Sequence, residues 1–200
     1  MTRDRRDDDG PRTTSPRAQP TRSEWTFGLL WVLATTLGWV VGFAICEALK
    51  DFVESFRSDG AVIGISVGIM QWLALRRRIN GAGWWILASI VGFAIGKFMA
   101  DAIAQALSGT VGLVLGGAAI GTSLGIVQWL ILRRHVAQAG WWALASTMAW
   151  AVGWAIINLV DEAAGGPTST AYLVGATGAA LAGVITGGSL VWLLRVRRDY

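Results

Sequence analysis

Three polar side chains recur at one spacing in otherwise apolar sequence. Glu47, Asp101 and Asn158 each lie five residues after a glycine, namely Gly42, Gly96 and Gly153. Lys97 precedes Asp101 by four residues, so on a helix the two share a face and can pair. Ionisable groups at membrane depth are costly, and by default they raise ion, proton or substrate chemistry. Helix geometry tempers that reading. Asp101 falls 16 residues after Trp85, about 24 Å further along a helix, which places it near the far boundary of a span. The candidate polar ring of Glu47, Lys97, Asp101 and Asn158 is therefore read first as structural and second as the site of a small transporter or channel.

Other chemistry finds little support. His135 is the only histidine and Cys46 the only cysteine, so bis-histidine haem ligation and an intramolecular disulfide are both excluded within one chain. The acidic residues Asp51, Glu54, Asp59, Asp161 and Glu162 lack the spacing of a calcium loop. Glycine-rich stretches such as Gly112–Gly117 lie inside a predicted apolar helix, which makes them packing glycines and not a phosphate cradle. No hydrolase or zinc motif is visible. No enzyme activity, metal or cofactor is expected.

The elements that must position the polar ring are legible in the charge pattern. Hydrophobic residues make up 54% of the chain and charged ones 15%, with 26 Gly and 12 Trp among 200 residues. Charge-free runs cover Trp25–Cys46, Gly60–Leu75, Ile79–Gly96, Ala102–Leu132, His135–Val160 and Ala163–Leu194. A helix crossing a ~30 Å hydrocarbon core needs about 17–25 apolar residues, which most of these runs supply. Gly60–Leu75 is short, so its helix must extend into Ser58–Asp59 or the bilayer must thin. An all-α integral membrane fold of six transmembrane helices is expected over residues 24–198. Residues 1–23, rich in Arg, Asp, Thr and proline, form a predicted disordered tail. A cleavable signal peptide is not expected.

Two phrases repeat. Gln71-Trp-Leu-Ala-Leu-Arg-Arg-Arg returns as Gln128-Trp-Leu-Ile-Leu-Arg-Arg-His, and in degraded form as Val191-Trp-Leu-Leu-Arg-Val-Arg-Arg. Ala82-Gly-Trp-Trp-Ile-Leu-Ala-Ser returns as Ala139-Gly-Trp-Trp-Ala-Leu-Ala-Ser. These set three helical hairpins, 25–79, 82–136 and 139–198, in a pseudo-threefold arrangement. Alignment matches Trp31/Trp85/Trp142, Thr35/Ser89/Ser146, Ser66/Ser123/Thr186 and Gly68/Gly125/Gly188, and it sets Val191 opposite Gln71 and Gln128. The two glutamines are expected to bond backbone near the Gly-Trp-Trp turn or to line a vestibule.

Fourteen of the 17 basic residues fall on one side if all six runs span. That bias places the tail, the Arg76–Arg78 and Arg133–Arg134 turns and the C-terminus in the cytoplasm. Trp72, Trp84, Trp85, Trp129, Trp141, Trp142 and Trp192, with Arg76, Arg77, Arg133 and Arg134, form a predicted interface belt on that side. The same placement argues against nucleic acid as a partner and for the lipid bilayer. Small residues at spacing four, Gly64/Gly68, Gly117/Gly121/Gly125 and Gly183/Gly187, make glycine-zipper grooves for close helix packing. Either the grooves are filled within the chain, or one receives a second copy or a partner helix.

The repeated phrases resemble a class of uncharacterised Trp- and Gly-rich bacterial multi-pass membrane proteins, over about Trp25–Arg198. The resemblance implies a bacterial inner-membrane location and carries no mechanism. The likeness to mitochondrial carriers is in hairpin number alone, since their proline-acidic signature is missing. The expected role is a structural or accessory membrane scaffold.

Overall fold

The computed structural model describes residues 21–50, 59–163 and 171–196, without the side chains of 171, 172 and 196. All regular structure among them is helical: α1 Arg22–Ala48, α2 Asp59–Leu75, α3 Trp84–Ala106, α4 Gly109–Leu132, α5 Gly140–Ala163 and α6 Ala171–Val196. Five of the six are long and apolar enough to cross a membrane, and α2, at 17 residues, is the shorter one. The expected tail through residue 20 and the acids Asp51 and Glu54 lie outside the described residues, as does Ser58. Helix α2 does extend through Asp59, as its length demanded. Helix α1 starts at Arg22, two residues before the expected boundary, because Thr21-x-x-Glu24 forms a capping box in which the Glu24 carboxylate accepts the Thr21 N–H at 2.7 Å.

Each helix packs on its chain neighbours, and α6 packs back on α1, so the six close into a ring. Neighbours run antiparallel: Gly38 meets Val67 while Gly42 meets Ile63, and Gly92 meets Leu124 while Gly96 meets Ile120. The arginine-bearing turns therefore gather at one end. Within the connection from α2 to α3, Gly81 supplies a φ of +72°, a conformation that costs other L-residues about 1 kcal/mol or more.

Glycines fix the helix spacing. A Cβ at Gly64 would sit 2.6 Å from the Ser89 carbonyl oxygen, one at Gly125 2.7 Å from the Ala143 Cα, and one at Gly183 3.1 Å from the Val32 Cα. Gly68, Gly117 and Gly121 meet the backbone of Ile86, Trp150 and Ser146 in the same way, and Gly187 faces the Trp31 side chain. All seven zipper glycines thus lie in seams between helices of this chain. Gly188, matched to Gly68 and Gly125 in the sequence, instead has nothing near it.

The surface along the helices is apolar, and polar side chains are buried among the apolar ones of the interior. Leu33, Leu87, Ile95, Leu144 and Met148 are exposed, while Thr35, Ser89, Gln71, Gln128, Ser146 and Thr186 are buried. Contiguous exposed apolar surface on this scale needs a non-aqueous partner.

The seams make a like-for-like test. Gly121→Leu should lower stability by about 1–3 kcal/mol, as overpacking does, whereas Gly188→Leu should leave it unchanged or slightly raised. Melting of the two variants in one detergent reads the difference, and equal midpoints would mean that the seams are not close-packed.

Candidate functional site

The interior is organised in layers along the ring's centre. Nearest the arginine end, Trp31, Trp85 and Trp142 meet mutually edge-to-face, with ring centroids 5.8, 5.9 and 5.6 Å apart. Beyond them lies a layer of hydroxyls and amides. A second aromatic layer follows, with Trp39 buried and Phe93 against Trp150 at 5.2 Å.

Alternation on the helix decides which tryptophan faces which way. Trp84 and Trp141 are 66% and 58% exposed, whereas Trp85 and Trp142, the next residues, are each 1% exposed. Successive positions differ by about 100° around a helix, so a Trp-Trp pair cannot present both rings to one environment. Trp85 and Trp142, grouped with the belt in the sequence, therefore lie at the centre with Trp31. Trp84, Trp141 and Trp192 remain on the surface. Trp72 and Trp129 are half-buried beneath Arg76 and Arg133, whose guanidinium carbons sit 5.6 and 5.2 Å from the ring centroids. Arg77 and Arg134 are exposed.

A buried indole N–H needs an acceptor, and the hydroxyl-amide layer supplies one to each ring. Trp85 Nε1 donates to Gln71 Oε1 at 2.9 Å, and Trp142 Nε1 donates to Gln128 Oε1 at 3.1 Å. The other end of each amide reaches the preceding helix: Gln71 Nε2 donates to Thr35 Oγ1 at 3.0 Å and Gln128 Nε2 to Ser89 Oγ at 3.1 Å. Thr35 and Ser89 in turn donate to the carbonyls of Trp31 and Trp85 at 3.0 and 2.8 Å. The glutamines' partners are thus side chains across the helix seams, where backbone near the turn, or a vestibule lined by the two amides, was expected.

The third position is built differently. Counting three residues on from the seam glycines Gly68, Gly125 and Gly187 gives Gln71, Gln128 and Leu190, so Leu190 and not Val191 takes the glutamine's place. Leu190 is fully buried. Trp31 Nε1 donates instead to Thr186 Oγ1 at 3.1 Å, and that hydroxyl donates to the Ala182 carbonyl at 2.6 Å. Ser66 and Ser123, aligned with Thr186, point elsewhere: Ser66 abuts Gly42 and Ser123 Oγ reaches Met99 Sδ at 3.7 Å. The relay thus links Trp31 to Trp142 and stays open between Ser146 and Thr186. A cavity of about 10 Å³ lies in that layer, lined by Thr35, Gln71, Gln128, Ser146 and Thr186 among others. It has room for about one water.

The polar-ring residues lie at the opposite end, at two different helix junctions. Lys97 on α3 pairs with Asp101 one turn on and with Asp59 of α2 at 3.1 Å. Asn158 on α5 donates to Thr110 Oγ1 of α4 at 3.0 Å and to Glu162 Oε1 at 2.8 Å. Glu47 is exposed. Among the described residues no group of three or more His, Cys, Asp or Glu is placed to hold a metal. His135 Nδ1 contacts the Ile131 carbonyl at 3.1 Å.

At the arginine end a further pair closes the ring. Arg195 Nη2 donates to Glu24 Oε2 at 2.7 Å, tying the last turn of α6 to the first of α1. Sequence reading passed over Glu24, although the capping-box spacing from Thr21 marks it.

Gln71→Leu should cost about 1–3 kcal/mol by leaving a buried indole N–H and the Thr35 hydroxyl without their partner. Because the lost partner is shared, adding Trp85→Phe should cost less in the Gln71→Leu background than in the wild type. A double-mutant cycle from detergent melting measures the coupling, and simple additivity would show that the bond at 2.9 Å contributes nothing. Compared with known protein families, curated proteins and solved structures, the chain has no significant match.

Proposed function

We propose that this chain is a small integral membrane scaffold or accessory protein, its six helices spanning the bilayer as three repeated hairpins about a pseudo-threefold axis. Both termini and the two arginine turns face the cytoplasm of a bacterial inner membrane, with lipid as the surrounding partner and a second copy or another membrane protein as the scaffold's client. The observation that carries this reading is the use made of the interior polar groups. Gln71, Gln128, Thr35, Ser89 and Thr186 bond to one another and to indole or backbone groups, and tryptophans occupy the centre where a substrate path would run. Of the polar-ring residues, Lys97 joins α3 to α2 and Asn158 joins α5 to α4. Arginine bias supports the orientation, and the exposed leucines support the lipid contact.

Reconstituted into liposomes, the protein should give no flux above protein-free vesicles across a panel of protons, alkali cations and small solutes. The triple variant Asp59→Asn/Lys97→Met/Asp101→Asn removes the charged cluster of the α2–α3 junction together, so that no partner is left behind. Flux in the wild type that disappears in this variant, with helicity and insertion intact, would replace the scaffold by a transporter centred on the polar ring.

A further inference from the structure

The arginine end carries a groove between α3 and α4. It holds about 520 Å³ of space. Its walls are apolar, with Leu87 and Val91 on α3 and Leu130 on α4, and its mouth is formed by Asn80, Arg134 and His135. Exposed Trp84 flanks it.

The charge at this mouth is uncompensated, as it is at the exposed Arg77, which does not line the groove. Arg76 and Arg133 lie over Trp72 and Trp129, Arg78 lies over Phe27 and donates to the Ser23 carbonyl, and Arg195 is paired with Glu24. The groove between α1 and α6, lined by Trp25, Leu29 and Val191, therefore has its cation neutralised by the carboxylate beside it. The Arg134 side chain has no hydrogen bond, ion pair or ring contact among the described residues. It projects five exchangeable donors at the open end of an apolar slot.

We propose that the α3–α4 groove binds one phospholipid with an anionic headgroup, its acyl chain along Leu87, Val91 and Leu130 and its phosphate on Arg134. The inference rests on the membrane reading above. Chemistry selects this occupant. A hydrocarbon chain fills an apolar slot without leaving polar groups unpaired. A phosphate oxygen accepts from guanidinium in the short, charge-assisted geometry that an uncompensated arginine favours. The Asn80 amide adds a neutral donor on the other side of the mouth. Basic pockets between membrane helices on the cytoplasmic side suit such headgroups on general electrostatic grounds.

The test is native mass spectrometry of the full chain released from detergent, with phosphatidylglycerol or phosphatidylcholine of identical acyl chains as probes. One phosphatidylglycerol should be retained about fivefold better than phosphatidylcholine, the ratio that ~1 kcal/mol per basic residue gives. Arg134→Gln should abolish the preference, whereas Arg77→Gln, an exposed arginine at the same end that does not line the groove, should keep it. Val91→Trp fills the slot without changing charge and should lower retention of both lipids. Equal retention of the two lipids by the wild type would overturn the proposal. So would an equal loss in Arg77→Gln and Arg134→Gln, which would mean diffuse surface charge, or undiminished retention in Val91→Trp. A chain that stays monodisperse in water without detergent would instead remove the membrane reading itself.

Discussion

Three indole N–H groups, each buried with its ring near the centre of a six-helix ring, set the terms for the rest of the molecule. An indole brings a large apolar body and a single donor that is costly to leave unpaired in a low-dielectric interior, as Trp154 Nε1 is among the described residues. Trp31, Trp85 and Trp142 gain edge-to-face contacts worth about 0.5–1.5 kcal/mol per pair beyond burial, provided that an acceptor stands beside each. Gln71, Gln128 and Thr186 are those acceptors. Each sits on the even-numbered helix next to the odd-numbered helix that bears the indole, so satisfying the donors also fixes which helices neighbour one another. A glutamine has two ends, and using both ties three consecutive helices with one side chain.

Glycine makes this reach feasible. Side-chain amides span only a few ångströms, and the seams at Gly64/Gly68 and Gly121/Gly125 bring backbones close enough for Gln71 and Gln128 to cross between them. In lipid, where hydrophobic force does not drive helix against helix, close packing and interhelical hydrogen bonds are the available adhesives. On the membrane reading both are concentrated in the same seams. The outward surface is then left free of structural duty, and its leucines can meet lipid while Arg134 and the other basic side chains meet headgroups.

Much of this was legible in the sequence. Charge-free runs located the helices, the repeated phrases paired Trp31 with Trp85 and Trp142, and spacing-four glycines marked the seams. Which of two adjacent tryptophans turns inward was not legible, because the apolar surface is exposed and hydrophobicity no longer distinguishes inside from outside. Hydropathy rates Trp84 and Trp85 alike, yet only one can lie beside a glutamine. The third repeat misled for a related reason. The Trp192 match set the register one residue away from that of Gly183 and Gly187, and packing follows the glycines. The division of the polar-ring residues Lys97 and Asn158 between the α2–α3 and α4–α5 junctions depended on Asp59 and Thr110, partners distant in the chain.

Exchange of the tryptophan indole protons tests the central claim most directly. In detergent-solubilised protein transferred to deuterated water, with resonances assigned by single Trp→Phe variants, the Nε1–H signals of Trp31, Trp85 and Trp142 should persist long after those of the exposed Trp84, Trp141 and Trp192 have vanished. Loss of the three at the rate of the exposed set would contradict a closed, hydrogen-bonded centre and would mean that water runs through the ring.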